Sequence, residues 1–390
     1  MRHAILLFFV VCFVLAARVL AADLQPKKVT VLARENTFEL TDALVDGQEL
    51  LVPAKHVAAI TGFELKPQGL CAADVCIPIP KDGGWVVEQG GVTYLNLTRF
   101  AAKVDQVFAV DTDQNVWSFT AVPERPTLPL VAGEAPDFAI PDRNGKIVRL
   151  SDFRGKKVFL LTWASWCGCR FDLAEWQKMY VELKDKNFGI VAAAQDTGGV
   201  AAAGPWYDKA NVTYTALVDA KHTVSSLYQM VNVPTGVWID ETGKIVRPGE
   251  VSYAKQQKVL GQTIGDDRYA LGLRDWVEKG PQSAYLASPE RLHRQLALRD
   301  SRLRLADAHF KIGAYFSESS KRDLATKHWQ QAQELNPDSW NYHRQDWSFD
   351  KGKEMGNFLK KVGKLAGRPY YDPAEFPQSK PADNPASAAP

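Results

Sequence analysis

Two cysteines one residue apart stand in Trp166-Cys167-Gly168-Cys169-Arg170, and their type and spacing suit thiol–disulfide exchange. The attacking species in that exchange is a thiolate. A strand running into Trp166 and followed by a helix places Cys167 at a helix N-terminus. There, free backbone N–H groups and the positive end of the helix dipole favour a thiolate, and Arg170 adds positive charge. On this reading Cys167 is the nucleophile and Cys169 the resolving cysteine. Gly168 tolerates the unusual dihedrals that so small a ring needs. The redox group is the Cys167–Cys169 pair itself, with no metal and no organic cofactor.

A second close pair, Cys71 and Cys76, lies in Gly69-Leu70-Cys71-Ala72-Ala73-Asp74-Val75-Cys76-Ile77. Its short loop reads as a structural disulfide worth about 2 kcal/mol. With no histidine nearby, two thiols make a poor metal site. His56 and Trp85 have no partner that the sequence identifies. The fifth cysteine, Cys12, sits in an apolar run from Ala4 to Ala17 behind Met1-Arg2-His3, with Val19-Leu20-Ala21 after it. That pattern is a signal peptide over residues 1–22, which leaves four cysteines in two pairs. The expected location is periplasmic or extracellular, where disulfides persist, with no membrane association after signal cleavage. Forty-seven basic and 45 acidic residues leave a net charge of +2, so no field points to nucleic acid. Sequons at Asn96 and Asn211 matter only in a host that glycosylates.

The elements that must position these residues fall into three blocks. Residues 23–122 read as an α+β domain with a weak internal repeat. Val52 to Ala59 and, 43 residues on, Leu95 to Ala102 each follow an apolar strand, open a short helix and lead to another strand. A proline-rich linker spans 123–132. Over 133–287, strands at 157–163, 188–195, 236–240 and 244–248 alternate with helices at 171–185 and 221–230, the pattern of an α/β sheet with mixed strands. Residues 288–370 turn helical. Gly313, Phe316, Ala325, Trp329, Ala332 and Pro337 have the spacing of a tetratricopeptide repeat, completed by flanking helices near 289–305 and 351–365. Such a layer offers a groove for a protein partner. Residues 371–390, rich in Pro, Ala and Ser, read as a disordered tail.

The central block resembles exported thioredoxin-like proteins of the TlpA/ResA and redoxin type. The resemblance is carried by Ala135-Pro136-Asp137-Phe138, Gly145-Lys146, Leu150 to Lys156, Trp163 to Arg170 and, about 65 residues later, Val233-Pro234-Thr235. It implies a thioredoxin-like fold, a cis-proline at Pro234 opposite the cysteines, and contact of Trp166, Val233 and Thr235 with protein thiol or disulfide substrates. The N-terminal block is loosely similar to the copper amine oxidase N-terminal-type domain, which implies no copper here. Two departures matter. The family pattern is Trp-Cys-x-x-Cys-Arg, and the single spacer residue here makes a more strained ring, hence a more oxidising couple. Leu161 stands where thioredoxins place a buried carboxylate, leaving Glu175 or Asp196 as substitute bases.

These residues point to an extracytoplasmic thiol–disulfide oxidoreductase of oxidising or isomerising type. Three other readings compete. A redoxin-type peroxidase needs Thr or Ser at position 164, which is Ala. A copper-binding protein would pair the thiolates with His222, otherwise a solvated histidine at a helix start. A non-catalytic partner-binding protein would keep Cys167–Cys169 as a static bond.

Overall fold

The computed structural model describes residues 24–72, 75–80, 83–122, 133–259, 262–297, 299–370 and 374–377. The expected leader at 1–22 and linker at 123–132 lie outside them, as does most of the 371–390 segment. The chain divides into two compact units, 1–122 and 123–390.

In the first unit a seven-stranded sheet is ordered Val86–Gln89, Val92–Asn96, Glu49–Pro53, Asn36–Asp46, Lys27–Ala33, Val116–Phe119, Phe108–Asp111. The repeated pattern in the sequence appears as two strand–helix–strand passages. Glu49–Pro53 leads through helix Ala54–Thr61 to Glu64–Lys66, and Val92–Asn96 through helix Leu97–Lys103 to Phe108–Asp111. Each helix inserts apolar residues, Val57 and Ile60 or Leu97 and Phe100, into one core. Cys71 and Cys76 face each other across an antiparallel pair and are disulfide-bonded. His56 finds a partner in Asp42, 3.2 Å away. Asn96 is fully buried, and its side chain caps the second helix by accepting from Arg99 N–H. The Asn96 sequon is therefore closed to glycosylation in the folded protein.

In the second unit, labels run in chain order: β1 (Lys157–Trp163), α1 (Leu173–Leu183), β2 (Phe188–Ala194), α2 (Gly199–Lys209), β3 (Thr215–Val218), α3 (Thr223–Leu227), β4 (Thr235–Ile239), β5 (Ile245–Val251) and α4 (Asp267–Lys279). The sheet order is β3-β2-β1-β4-β5, with β1, β2 and β3 parallel and β4 and β5 antiparallel. The continuous apolar run of β1 reflects burial on both faces. Phe159, Leu161 and Trp163 pack with Trp176 of α1, Tyr207 of α2 and Trp276 of α4. Val158 and Leu160 face the other way, toward Val224 and Tyr228. The helix expected over 221–230 shrinks to the five residues of α3, because His222 before it and Gln229 after it are both held in a left-handed conformation, at φ 54° and 58°. Helices α2 and α4 were not foreseen.

The C-terminal helices are α5 (Pro289–Gln295), α6 (Ser301–Glu318), α7 (Arg322–Leu335), α8 (Trp340–Trp347) and α9 (Glu354–Gly363). Helices α6 and α7 form a close hairpin. A Cβ at Gly313 would lie 2.4 Å from the Trp329 ring, so only glycine admits the indole there. The trace expected as one helix over 289–305 breaks between α5 and α6, and α6 starts anew on the Asp300 side chain, which accepts from Leu303 N–H. Leu292 of α5 and the adjacent Leu296 complete the second face of the β-sheet core, so that core continues past residue 287. The tail expected to be disordered is docked over its short described part. The Glu375 carbonyl accepts from Arg247 Nη2 at 2.6 Å and Phe376 packs beside Tyr285, because a buried guanidinium needs those partners. No described helix is long and apolar enough to cross a membrane.

Candidate active site

Strand β1 delivers the chain into a loop from Ala164, and the cysteines follow on a 3₁₀ turn, Gly168–Asp172, that continues into α1. The α-helix expected to begin near Phe171 begins at Leu173, so Cys167 caps a 3₁₀ turn rather than an α-helix. Its sulfur still receives a backbone donor, Cys169 N–H at 3.2 Å. The structure joins Cys167 and Cys169 in a disulfide with Cα atoms 5.2 Å apart. Both cysteines are 2 % exposed.

Across from them runs the loop before β4. The Val233–Pro234 peptide is cis, and Cys167 Sγ lies 3.5 Å from the Val233 carbonyl oxygen. Val233 is wholly buried, and its N–H is taken by Asn232 Oδ1 at 2.9 Å. In this oxidised arrangement the Val233 N–H is satisfied within the loop and its carbonyl faces the Cys167 sulfur. Thr235 is buried as well. Its hydroxyl donates to Asn232 O at 2.7 Å, and its carbonyl accepts from Thr162. Trp166 stays at the site, half-buried, whereas Trp163 is core and donates to the Tyr207 hydroxyl at 2.8 Å.

Arg170 supports the loop through two carbonyls, Ser165 O at 2.9 Å and Cys167 O at 3.2 Å, and its guanidinium lies over the rings of Phe171 and Trp206. It therefore shapes the turn as well as adding charge. Of the two substitute bases, Glu175 is excluded. It pairs with Lys255 and Lys178, and the bond to Lys255 foremost holds its pKa below the usual carboxylate range. Asp196 joins the site. It accepts from Ser165 N–H at 2.8 Å and from the Ser165 hydroxyl at 2.6 Å, and burial raises its pKa to about 6 despite those bonds. Leu161 is buried opposite Gly236, with no carboxylate in its place.

Sequence reasoning missed Asp172 at the end of the cysteine-bearing turn. It is 1 % exposed, and burial raises its pKa to about 7 although Ala254 N–H donates to it at 3.3 Å. A carboxyl three residues after the second cysteine was the available signal. Because the folded pKa lies above the unfolded one, the folded state binds the extra proton between about pH 4 and about pH 7. Stability from this group is present below that window and is lost as pH rises through it. Asp172→Asn is accordingly expected to stabilise the protein by on the order of 2 kcal/mol at pH 8 and by little at pH 4, read as thermal midpoints at the two pH values.

His222 corrects both earlier readings. It is neither solvated nor a thiolate partner. It is 2 % exposed, its ring packs edge-on against Phe310 of α6, and its Nε2 lies 3.1 Å from Gln345 Oε1. Burial lowers its pKa to about 4, so the ring is neutral. Among the described residues no group of three or more His, Cys, Asp or Glu could hold a metal ion.

The central part of the chain is thioredoxin-like. Residues 131–247 match the AhpC/TSA family. The chain is 28 % identical over 128 residues to thiol-disulfide oxidoreductase ResA of Bacillus thuringiensis subsp. konkukian, a match covering 33 % of this chain and 73 % of that protein. It is 32 % identical over 120 residues to ResA of Oceanobacillus iheyensis, covering 30 % of this chain and 62 % of the relative. Among solved structures, a proposed thiol:disulfide interchange protein DsbE from Chlorobium tepidum is 35 % identical, with a TM-score of 0.28, over 30 % of this chain and 83 % of that one.

Proposed function

We propose that this protein is a thiol–disulfide oxidoreductase working through Cys167 and Cys169, exported to the periplasm or beyond, with protein thiols and disulfides as substrates. One observation carries the reading: the two sulfurs are paired on the turn that leaves β1, and Cys167 Sγ faces the loop before β4. The relatives named thiol-disulfide oxidoreductase support the same reaction class, and the apolar leader at Ala4 to Ala17 supports export.

In the reduced protein, the Cys167 thiolate attacks one sulfur of a partner disulfide. The other partner sulfur leaves as a thiolate, and a mixed disulfide forms. Cys169, as thiolate, then attacks Cys167 Sγ, expels the first partner sulfur and closes the Cys167–Cys169 bond. The partner gains two electrons and the protein loses two; the reverse sequence oxidises a dithiol. Cys169 N–H at Cys167 Sγ favours the thiolate over the thiol. Asp196, bonded to Ser165 beside the cysteine loop, is a candidate to hold the exchanged proton, since its pKa near 6 lets it take up and release one.

The spacer of one residue sets the direction. A ring this small is harder to close than one with two spacer residues, which favours the dithiol. Titration against dithiothreitol or glutathione buffers is expected to give a midpoint well above the thioredoxin value of about −270 mV. A midpoint at or below that value would assign the protein to reduction instead. A pair that stayed oxidised even at about −330 mV would be a structural bond, and the catalytic reading would fall.

A further inference from the structure

We propose that α8, with Tyr370, is a fitted cap on the Cys167–Cys169 site, and that Asn341, Arg344 and Gln345 thereby determine the size of the thiol or disulfide partner that reaches the sulfurs. The inference rests on the exchange reaction proposed above and adds an access rule to it.

Three residues of one short helix reach three different parts of the site. Gln345 Oε1 lies 3.2 Å from Trp166 Nε1, 3.0 Å from Thr197 N and 3.1 Å from His222 Nε2. An indole N–H and a backbone N–H can only donate, so the atom between them is the amide oxygen, and the neutral His222 donates through Nε2. One oxygen thus gathers the segments that leave β1, β2 and β3. Arg344 Nη2 donates to Trp166 O at 3.0 Å, and its guanidinium stacks 4.7 Å above the Trp166 ring. With Cys167 N–H donating to Ala164 O at 3.0 Å, the peptide that enters the nucleophile is held at both ends. Asn341 N–H donates to Val231 O at 3.1 Å and its side chain to Met230 O at 3.4 Å, while the Tyr370 hydroxyl lies 3.4 Å from Asn232 Oδ1. The main chain at Met230 and Val231, just ahead of the cis-proline loop, is therefore engaged by α8. With both cysteines 2 % exposed, a folded protein disulfide has no route to Cys167 in this arrangement.

The full oxidised chain tests the cap through two rates of reduction of Cys167–Cys169, one with dithiothreitol and one with reduced thioredoxin as a protein-sized dithiol. Closure lowers the rate with the large reductant by the fraction of open molecules, and the small one is less affected. Arg344→Ala and Gln345→Ala are each expected to raise the thioredoxin rate about tenfold and the dithiothreitol rate less than about threefold. Tyr370→Phe, which removes one hydroxyl at the edge of the cap, is the mild variant, and a rise of about threefold in the thioredoxin rate is expected from it. A ratio of the two rates unchanged in Tyr370→Phe and in whichever α8 variant folds would overturn the cap. Failure of dithiothreitol to reduce the wild-type pair at all would instead overturn the exchange reaction beneath it.

Discussion

Serine at position 167 is expected to lower disulfide-exchange turnover by at least about a thousandfold, because the hydroxyl remains protonated where the thiolate would attack. Serine nearly matches cysteine in volume, and the sulfur it replaces is buried, so the fold is expected to survive within about 2 kcal/mol. Cys169→Ser should behave differently. It leaves the nucleophile and removes the group that resolves the intermediate, so a mixed disulfide with the partner accumulates. Non-reducing electrophoresis and intact-mass measurement distinguish the two variants. Full turnover by the Cys167→Ser, Cys169→Ser double variant would dispose of the proposed mechanism, whatever the sulfur pair does for stability.

The second large effect lies away from the sulfurs. Glu250 on β5 is buried between two guanidiniums, bonded to Arg247 on the same strand and to Arg291 Nη2 at 2.5 Å. Arg247 and Arg291 are 1 % and 4 % exposed. Breaking a buried pair costs more than the pair contributes, because it strands uncompensated charge. Glu250→Ala strands two cations, and a loss of about 3–5 kcal/mol is expected in denaturant unfolding monitored on the intact chain. Loss below about 1 kcal/mol would mean that Tyr285 O and Glu375 O, which also accept from Arg247, suffice for it. The triad spans β5 and α5, so the same variant is expected to loosen the C-terminal helices before the sheet.

Much of the central domain was legible because its signals are local. The apolar residues Val158 to Leu161 read as a strand, and the resemblance through Trp166, Cys167, Arg170 and Pro234 named the fold around it. Gly313 and Trp329 announced a close helix pair because only glycine leaves room for that indole. What failed to show was long-range. Gln345 lies 179 residues from Trp166 and 123 from His222, and nothing in its own neighbourhood marks it. His222 was misread for the same reason: its burial is provided by Phe310 and Gln345, both from helices assigned to a separate block. Asp172 was overlooked because its raised pKa comes from burial, which a sequence states only indirectly. Val233 and Thr235 were placed by resemblance to the family, whose pattern does not specify what else covers that loop.

The three donors that meet at Gln345 bear on inheritance as much as on chemistry. Trp166, Thr197 and His222 follow three different strands, and a fourth contribution, Leu292 and Leu296, closes the far face of the same sheet. A redox domain connected in this way has given up its autonomy. Cut out at residue 287, it would lose an acceptor for three donors and an apolar cover at once. The helices that follow it cannot be exchanged like beads on a string, and any recombination that moved the cysteine motif to another protein would have to carry α5 to α8 with it.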